Sequence, residues 1–141
     1  MAGPGVAALL EDVGRWAAGT PGVQAVALVG SHAAGRARPD SDVDLVVLLD
    51  DPRRLLGERA WLEEFGVVGQ VAVEDWGAVT ALRVHYAGGL EVEWGLAGVS
   101  WAGVGPVDPG MARVVSDGLV PLYDPGGLLA RLESAVGRGA P

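Results

Sequence analysis

Apolar positions recur along the chain with two different periods, and the switches between them mark out the elements. Over residues 4–18, Val6, Leu9, Leu10, Val13, Trp16 and Ala17 fall on one side of a helix, with Pro4 suited to its first turn. The stretch "GTPG" (19–22) stops that helix. "VQAVALV" (23–29) is nearly all apolar, as a strand covered on both faces should be. Gly30-Ser31 ends it, and "HAAGRARPDS" reads as a short helical turn followed by a loop. "DVDLVVLLD" (42–50) is a second central strand. Asp50 or Asp51 can cap a further helix, with Pro52 in its first turn; that helix carries Leu55, Leu56, Leu62 and Phe65 and stops at Gly66.

The second half returns to a period of two. "VVGQVAV" is a short strand, with Glu74 and Asp75 read as the turn behind it. "VTALRVHY", "AGG" and "LEVEWGL" form a hairpin, because two β-type runs flank a Gly-rich turn. Asp108-Pro109 opens a short helix, "LVPLYD" is a last strand, and "PGGLLARLESAV" is a last helix capped near Asp124. The five tryptophans mostly fall on apolar faces and are expected in the core. There is no repeat and no interior boundary, so residues 1–141 read as one domain, with frayed ends in the final "GRGAP".

Composition narrows the function classes. Half of the residues are hydrophobic, which excludes a disordered chain. Lys, Ile, Asn and Cys are absent, so the abundance of Arg is a compositional bias rather than a signal. Without Cys there is no disulfide framework, thiolate metal site or thiol nucleophile. The net charge of -8 opposes general nucleic-acid binding, which needs a basic face, yet permits a nucleotide held through metal ions. No signal-like segment and no membrane-length apolar run is present, and a cytoplasmic protein is expected.

The chemistry concentrates in "VGSHAAGRARPDSDVDLVVLLD" (29–50). Alternate side chains of a strand share a face, so Asp42 and Asp44 point together, opposite Val43, Leu45 and Val47. Two carboxylates that close repel each other unless one is protonated or a cation lies between them. Magnesium is the natural cation, taking one or two carboxylates and leaving its other positions to water and phosphates. In "LEVEWGL" the same alternation puts Glu91 and Glu93 on one face. Either can join the pair if that strand lies beside the Asp strand. Three carboxylates can hold two ions, one serving the attacking hydroxyl and one the triphosphate. Gly30 lets a backbone approach a ligand closely, Ser31 can donate to a phosphate oxygen, and Gly35 permits the turn back. Ser41 can donate to phosphate or cap the turn, and Arg36 and Arg38 lie on the same loop. His32 and His85 have no partner at metal-ligand spacing.

These residues resemble a known family. "GSHAAGRARPDSDVDL" is similar to the G-S-x-x-x-G … S-D-x-D-L signature of the nucleotidyltransferase superfamily that includes DNA polymerase beta. The resemblance implies an α/β fold with a small mixed sheet flanked by helices. It also implies transfer of a nucleoside monophosphate, with AMP from ATP expected, using two magnesium ions. By position, Gly30 and Ser31 correspond to the phosphate-binding pair and Asp42 and Asp44 to the metal-binding aspartates. Residues 61–97 more weakly resemble streptomycin-type aminoglycoside adenylyltransferases. That likeness puts Glu93, rather than Glu91, at the place of the third carboxylate and general base, where the family has Asp. Those enzymes continue into a helical domain for the acceptor; here a homodimer or a helical partner protein is expected to supply that wall. The acceptor, a hydroxyl of a small molecule or a protein, stays open. Two rivals remain: a non-catalytic or antitoxin-like module of the same fold acting through a helical partner, and a fragment of a metal-dependent glycosyltransferase.

Overall fold

The apolar runs of the chain assemble into one six-stranded sheet in the order β3-β4-β5-β2-β1-β6, with helices packed on both faces. The computed structural model describes residues 4–139. Helix α1 is Pro4–Ala18, β1 is Val23–Val29, α2 is the single turn Gly30–Ala33, and β2 is Val43–Leu49. Helix α3 (Arg53–Gly57) and a 3₁₀ turn (Ala60–Phe65) lead to β3 (Val68–Asp75), β4 (Val79–Tyr86) and β5 (Glu91–Gly98). A second 3₁₀ turn (Val99–Ala102), α4 (Pro109–Asp117), β6 (Val120–Tyr123) and α5 (Leu128–Gly139) complete the fold. The sheet is mixed: β2 and β5 run parallel, and the other neighbours pair antiparallel.

Strand alternation splits the core in two. Val43, Leu45, Val47 and Leu49 of β2 and Val92, Trp94 and Leu96 of β5 face α1, α3 and the first 3₁₀ turn. The centre of that layer is aromatic. Trp16 stacks on Trp61 with ring centroids 5.0 Å apart, and Trp94 meets Trp61 edge-on at 4.9 Å. The opposite set, Ala25, Ala27, Val46, Leu48 and Ala97, packs against Met111 of α4 and Leu129 and Leu132 of α5. Asp108 caps α4 by accepting the N–H groups of Gly110 and Met111, and Asp124 caps α5 by accepting those of Leu129 and Ala130.

Three expectations are corrected. The helix predicted from Pro52 to Phe65 is two pieces. Gly57 ends the first, Glu58 is extended, and the chain turns so that Trp61 and Leu62 are buried, with the Trp61 indole N–H donating to the Leu55 carbonyl. Burial of an indole there outweighs the weak preference of that segment for a continuous helix. Glu74 and Asp75 belong to β3 and not to the turn, which is made by residues 76–78. The tryptophans mostly lie in or against the core as expected, Trp16, Trp61, Trp94 and Trp101 among them, and Trp76 is the exception at 66% exposed. The last helix continues through Gly139 instead of ending at Val136, and residues 140–141 of the expected frayed tail lie outside the described residues.

Strand β3 closes one side of the sheet. It pairs only with β4, and its Val71 and Val73 are exposed.

Candidate active site

The two aspartates occupy the end of β2 that the second helical layer does not cover. Asp44 shares its face with Val46 and Leu48, which α4 and α5 bury, yet Asp42 and Asp44 themselves are only half-buried. One face of one strand thus serves as core along most of its length and as an open polar site at its beginning. This explains why a strand with a buried pattern starts with two carboxylates.

Pairing then assembles the site. Antiparallel β1 brings Val29 opposite Asp44, so Gly30 follows directly beside that carboxylate. A Cβ at residue 30 would collide with Asp44 Oδ2, and Gly30 has φ +72°, in the region that side chains avoid. Only glycine meets both conditions. Parallel β5 sets Glu93 opposite Asp44. Asp42, Asp44 and Glu93 each offer an oxygen, all within 4.8 Å of one another. Glu91, two residues earlier on the same face, is turned instead toward Arg83 and His85, at 2.6 and 3.4 Å.

Ser31 stands in α2, whose Gly30 and Ser31 carbonyls accept the N–H groups of Ala34 and Arg36. Ser41 caps its loop: its hydroxyl accepts the Arg38 N–H at 2.8 Å. His32 Nε2 lies 3.3 Å from the Ser41 carbonyl and ties α2 to that loop. Arg36 and Arg38 are exposed, and neither forms an ion pair among the described residues. A cleft of about 370 Å³ is lined in part by His32, Arg38, Ser41, Leu90 and Glu91, and by none of Asp42, Asp44 and Glu93.

Sequence reasoning missed Arg83. It sits on β4 directly across from Glu93, and its guanidinium donates to four acids. Nη1 reaches Glu91 at 2.6 Å and Asp42 at 3.2 Å, Nη2 reaches Glu93 at 2.9 Å, and Glu74 accepts from Nε and Nη2 at 3.4 Å. The signal was present. With "AGG" (87–89) as the hairpin turn, Arg83 and Glu93 fall opposite each other. Glu74, assigned to a turn, belongs to this cluster as well.

The acids are electrostatically strained. Burial, then the nearby Asp42 charge, pushes the Asp44 carboxyl up to about 6. Burial, then hydrogen bonds to Glu74 and Asp44 that need its proton, pushes Glu93 up to about 8. Glu74, accepting from Glu93 and Arg83, is held below the ordinary range. Protons therefore bind Asp44 and Glu93 more tightly in the folded chain than in the unfolded one. Without metal, their stabilising protonation is complete below the ordinary values of 3.8 and 4.5 and is lost as pH rises through about 6 and about 8. Denaturant unfolding in the presence of a chelator should give a lower stability at pH 9 than at pH 5. A rise across that interval would contradict these positions.

The three carboxylates suit a hard divalent cation: all donors are oxygens, they come from adjacent strands, and no cation other than Arg83 balances them among the described residues.

A family model for the nucleotidyltransferase domain matches residues 9–81, more than half of the chain, and includes Gly30, Ser31, Asp42 and Asp44. No curated protein matches the sequence. Among solved structures, an aminoglycoside 6-adenyltransferase from Bacillus subtilis superposes with a TM-score of 0.54 at 15% identity, over 67% of this chain and 35% of that one. Cid1 in complex with its short product ApU gives a TM-score of 0.40 at 19% identity, over 64% of this chain and 29% of that one. The chain thus spans about a third of the length of these structures. Among the described residues no helix is long and apolar enough to cross a membrane. By the extent of the family match, which holds the strand-turn-strand unit carrying both aspartates, the chain belongs to the nucleotidyltransferase domain family.

Proposed function

We propose that the chain transfers a nucleoside monophosphate, AMP from ATP, to a hydroxyl of a small-molecule or protein acceptor, and that the reaction depends on magnesium. The observation that carries this reading is the convergence of Asp42, Asp44 and Glu93 within 4.8 Å, beside a glycine whose replacement would strain the backbone and crowd Asp44. In this reading Asp42, Asp44 and Glu93 hold the metal. Magnesium, when bound, supplies positive charge that orients the triphosphate and makes the acceptor hydroxyl more acidic.

The residues divide the remaining work. Gly30 keeps the space above Asp44 open, and the Ser31 hydroxyl donates to a phosphate oxygen. Arg36, on the exposed loop, reaches the outer phosphates, and Ser41 holds that loop in shape by capping it. The acceptor oxygen attacks the α-phosphorus, the bond to the bridging oxygen breaks, and pyrophosphate leaves. Glu93 takes the acceptor's proton. To do so it must first lose its own, and a cation beside it favours the ionised form.

The test is direct. The chain is incubated with magnesium and ATP labelled in the α- or the γ-phosphate, together with candidate acceptors. Transfer of the α-label with release of γ-labelled pyrophosphate is expected. Magnesium-ATP binding absent by calorimetry, or γ-label carried to the acceptor, would overturn the reading.

A further inference from the structure

Arg83 saturates its guanidinium with carboxylates. Its five N–H groups are shared among Asp42, Glu74, Glu91 and Glu93. The side chain is only 29% exposed, and its neighbours hold its pKa above the ordinary value, so it stays charged under all working conditions. Such a group has no donor left for a phosphate. It does hold two of the three acids that converge around the candidate metal position, Asp42 and Glu93, but it makes no contact with Asp44.

We propose that Arg83 is a built-in counter-cation that competes with the divalent ion for Asp42 and Glu93, and so sets how weakly the free chain holds metal. This rests on the functional reading above and adds a positioning residue to it. The physical argument is one of charge. Five carboxylates crowd one end of the sheet: Asp42, Asp44, Glu74, Glu91 and Glu93. Left to themselves they repel, and the folded chain must supply a cation or bind protons. Arg83 supplies one permanently, anchored on the strand next to Glu93. An incoming ion must share or displace its pairs with Asp42 and Glu93, which lowers the ion's net gain. Arg83 also fixes Glu91 at 2.6 Å, keeping that acid out of the metal position and leaving Glu93 to fill it. The site therefore keeps its shape without metal and fills when the ion arrives with nucleotide phosphates as extra ligands.

Manganese alone, titrated at pH 8 and followed by electron paramagnetic resonance, reads the effect without any turnover. Arg83→Gln removes the charge and should bind manganese on the order of tenfold or more tighter than the wild type. Arg83→Lys keeps the charge and should stay near the wild type. In the wild-type chain itself, the Arg83 Nη–H resonances, whose partners include Asp42 and Glu93, should shift during a magnesium titration, which keeps the test valid if Arg83→Gln does not fold. Equal affinity in all three chains, or an unmoved Arg83 resonance while manganese binds the wild type, would overturn this proposal and leave the functional reading standing. No manganese binding by any chain, Arg83→Gln included, would also overturn this proposal, while the functional reading stands or falls on magnesium-ATP binding and transfer of the α-label.

Discussion

Asp44→Asn is expected to remove metal-dependent turnover entirely while leaving a folded chain that melts at a higher temperature than the wild type when metal is absent. Both halves follow from one environment. Asp44 is the most crowded of the three acids: Gly30 lies against it, Glu93 is opposite on β5, and Asp42 shares its face. Its carboxyl is pushed up to about 6 by burial first and by Asp42 next, so its charge is disfavoured in the metal-free fold. Asparagine keeps the shape and removes that charge, which relieves the repulsion. It also removes an anionic ligand that a hard divalent ion requires. Turnover and metal-free thermal melts together check this. Undiminished turnover would refute the metal-assisted mechanism, and a lower melting temperature would show that the Asp44 charge is compensated in a way this geometry does not contain.

Glu93→Gln should lower the rate of transfer by about 10²–10⁴-fold with nucleotide binding largely kept, the usual loss when a positioned base is removed. Glu91→Gln should leave the rate nearly unchanged. The two acids stand on the same face of the same strand, so their contrast tests position and not merely charge. Glu93 converges with the aspartates, whereas Glu91 is occupied by Arg83. Single-turnover rates with saturating ATP would separate the two. If Glu91→Gln were the inactive variant, the productive arrangement of β2 and β5 would differ from the one in which Asp44 faces Glu93.

Much of this molecule was legible before folding because its signals are local. The period of apolar residues located α1, β1, β2 and the β4–β5 hairpin, and Asp108 and Asp124 announced the helices they cap. The Gly-Ser pair and the two aspartates could be read together because an antiparallel hairpin-like return brings Val29 opposite Asp44 over a short loop. What was not legible depends on packing or on register. The break after Gly57 follows from burying Trp61, which local preference does not encode. The choice between Glu91 and Glu93 could not come from alternation, since both obey it. It needs the parallel register of β2 and β5, whose sequence separation is long. Arg83 was overlooked because one charged residue in "VTALRVHY" looks like an ordinary polar strand position until the strand beside it is aligned. Trp76 is the exception among tryptophans that otherwise lie in or against the core, a large apolar residue left in solvent at a turn.

The edge formed by β3 has a practical consequence for handling the protein. Its outer row of backbone groups has no partner in the sheet, and Val71 and Val73 face water beside it. Such a margin is a template for pairing with another molecule. Near neutrality a net charge of -8 opposes such pairing by mutual repulsion. That repulsion disappears toward the isoelectric point of about 4.5. Acidic buffer, where protonation of Asp44 and Glu93 favours the metal-free fold, is therefore also where these margins meet unopposed. Protonation of Asp44 and Glu93 and repulsion between molecules thus favour opposite directions of pH, and concentrated stocks belong on the alkaline side.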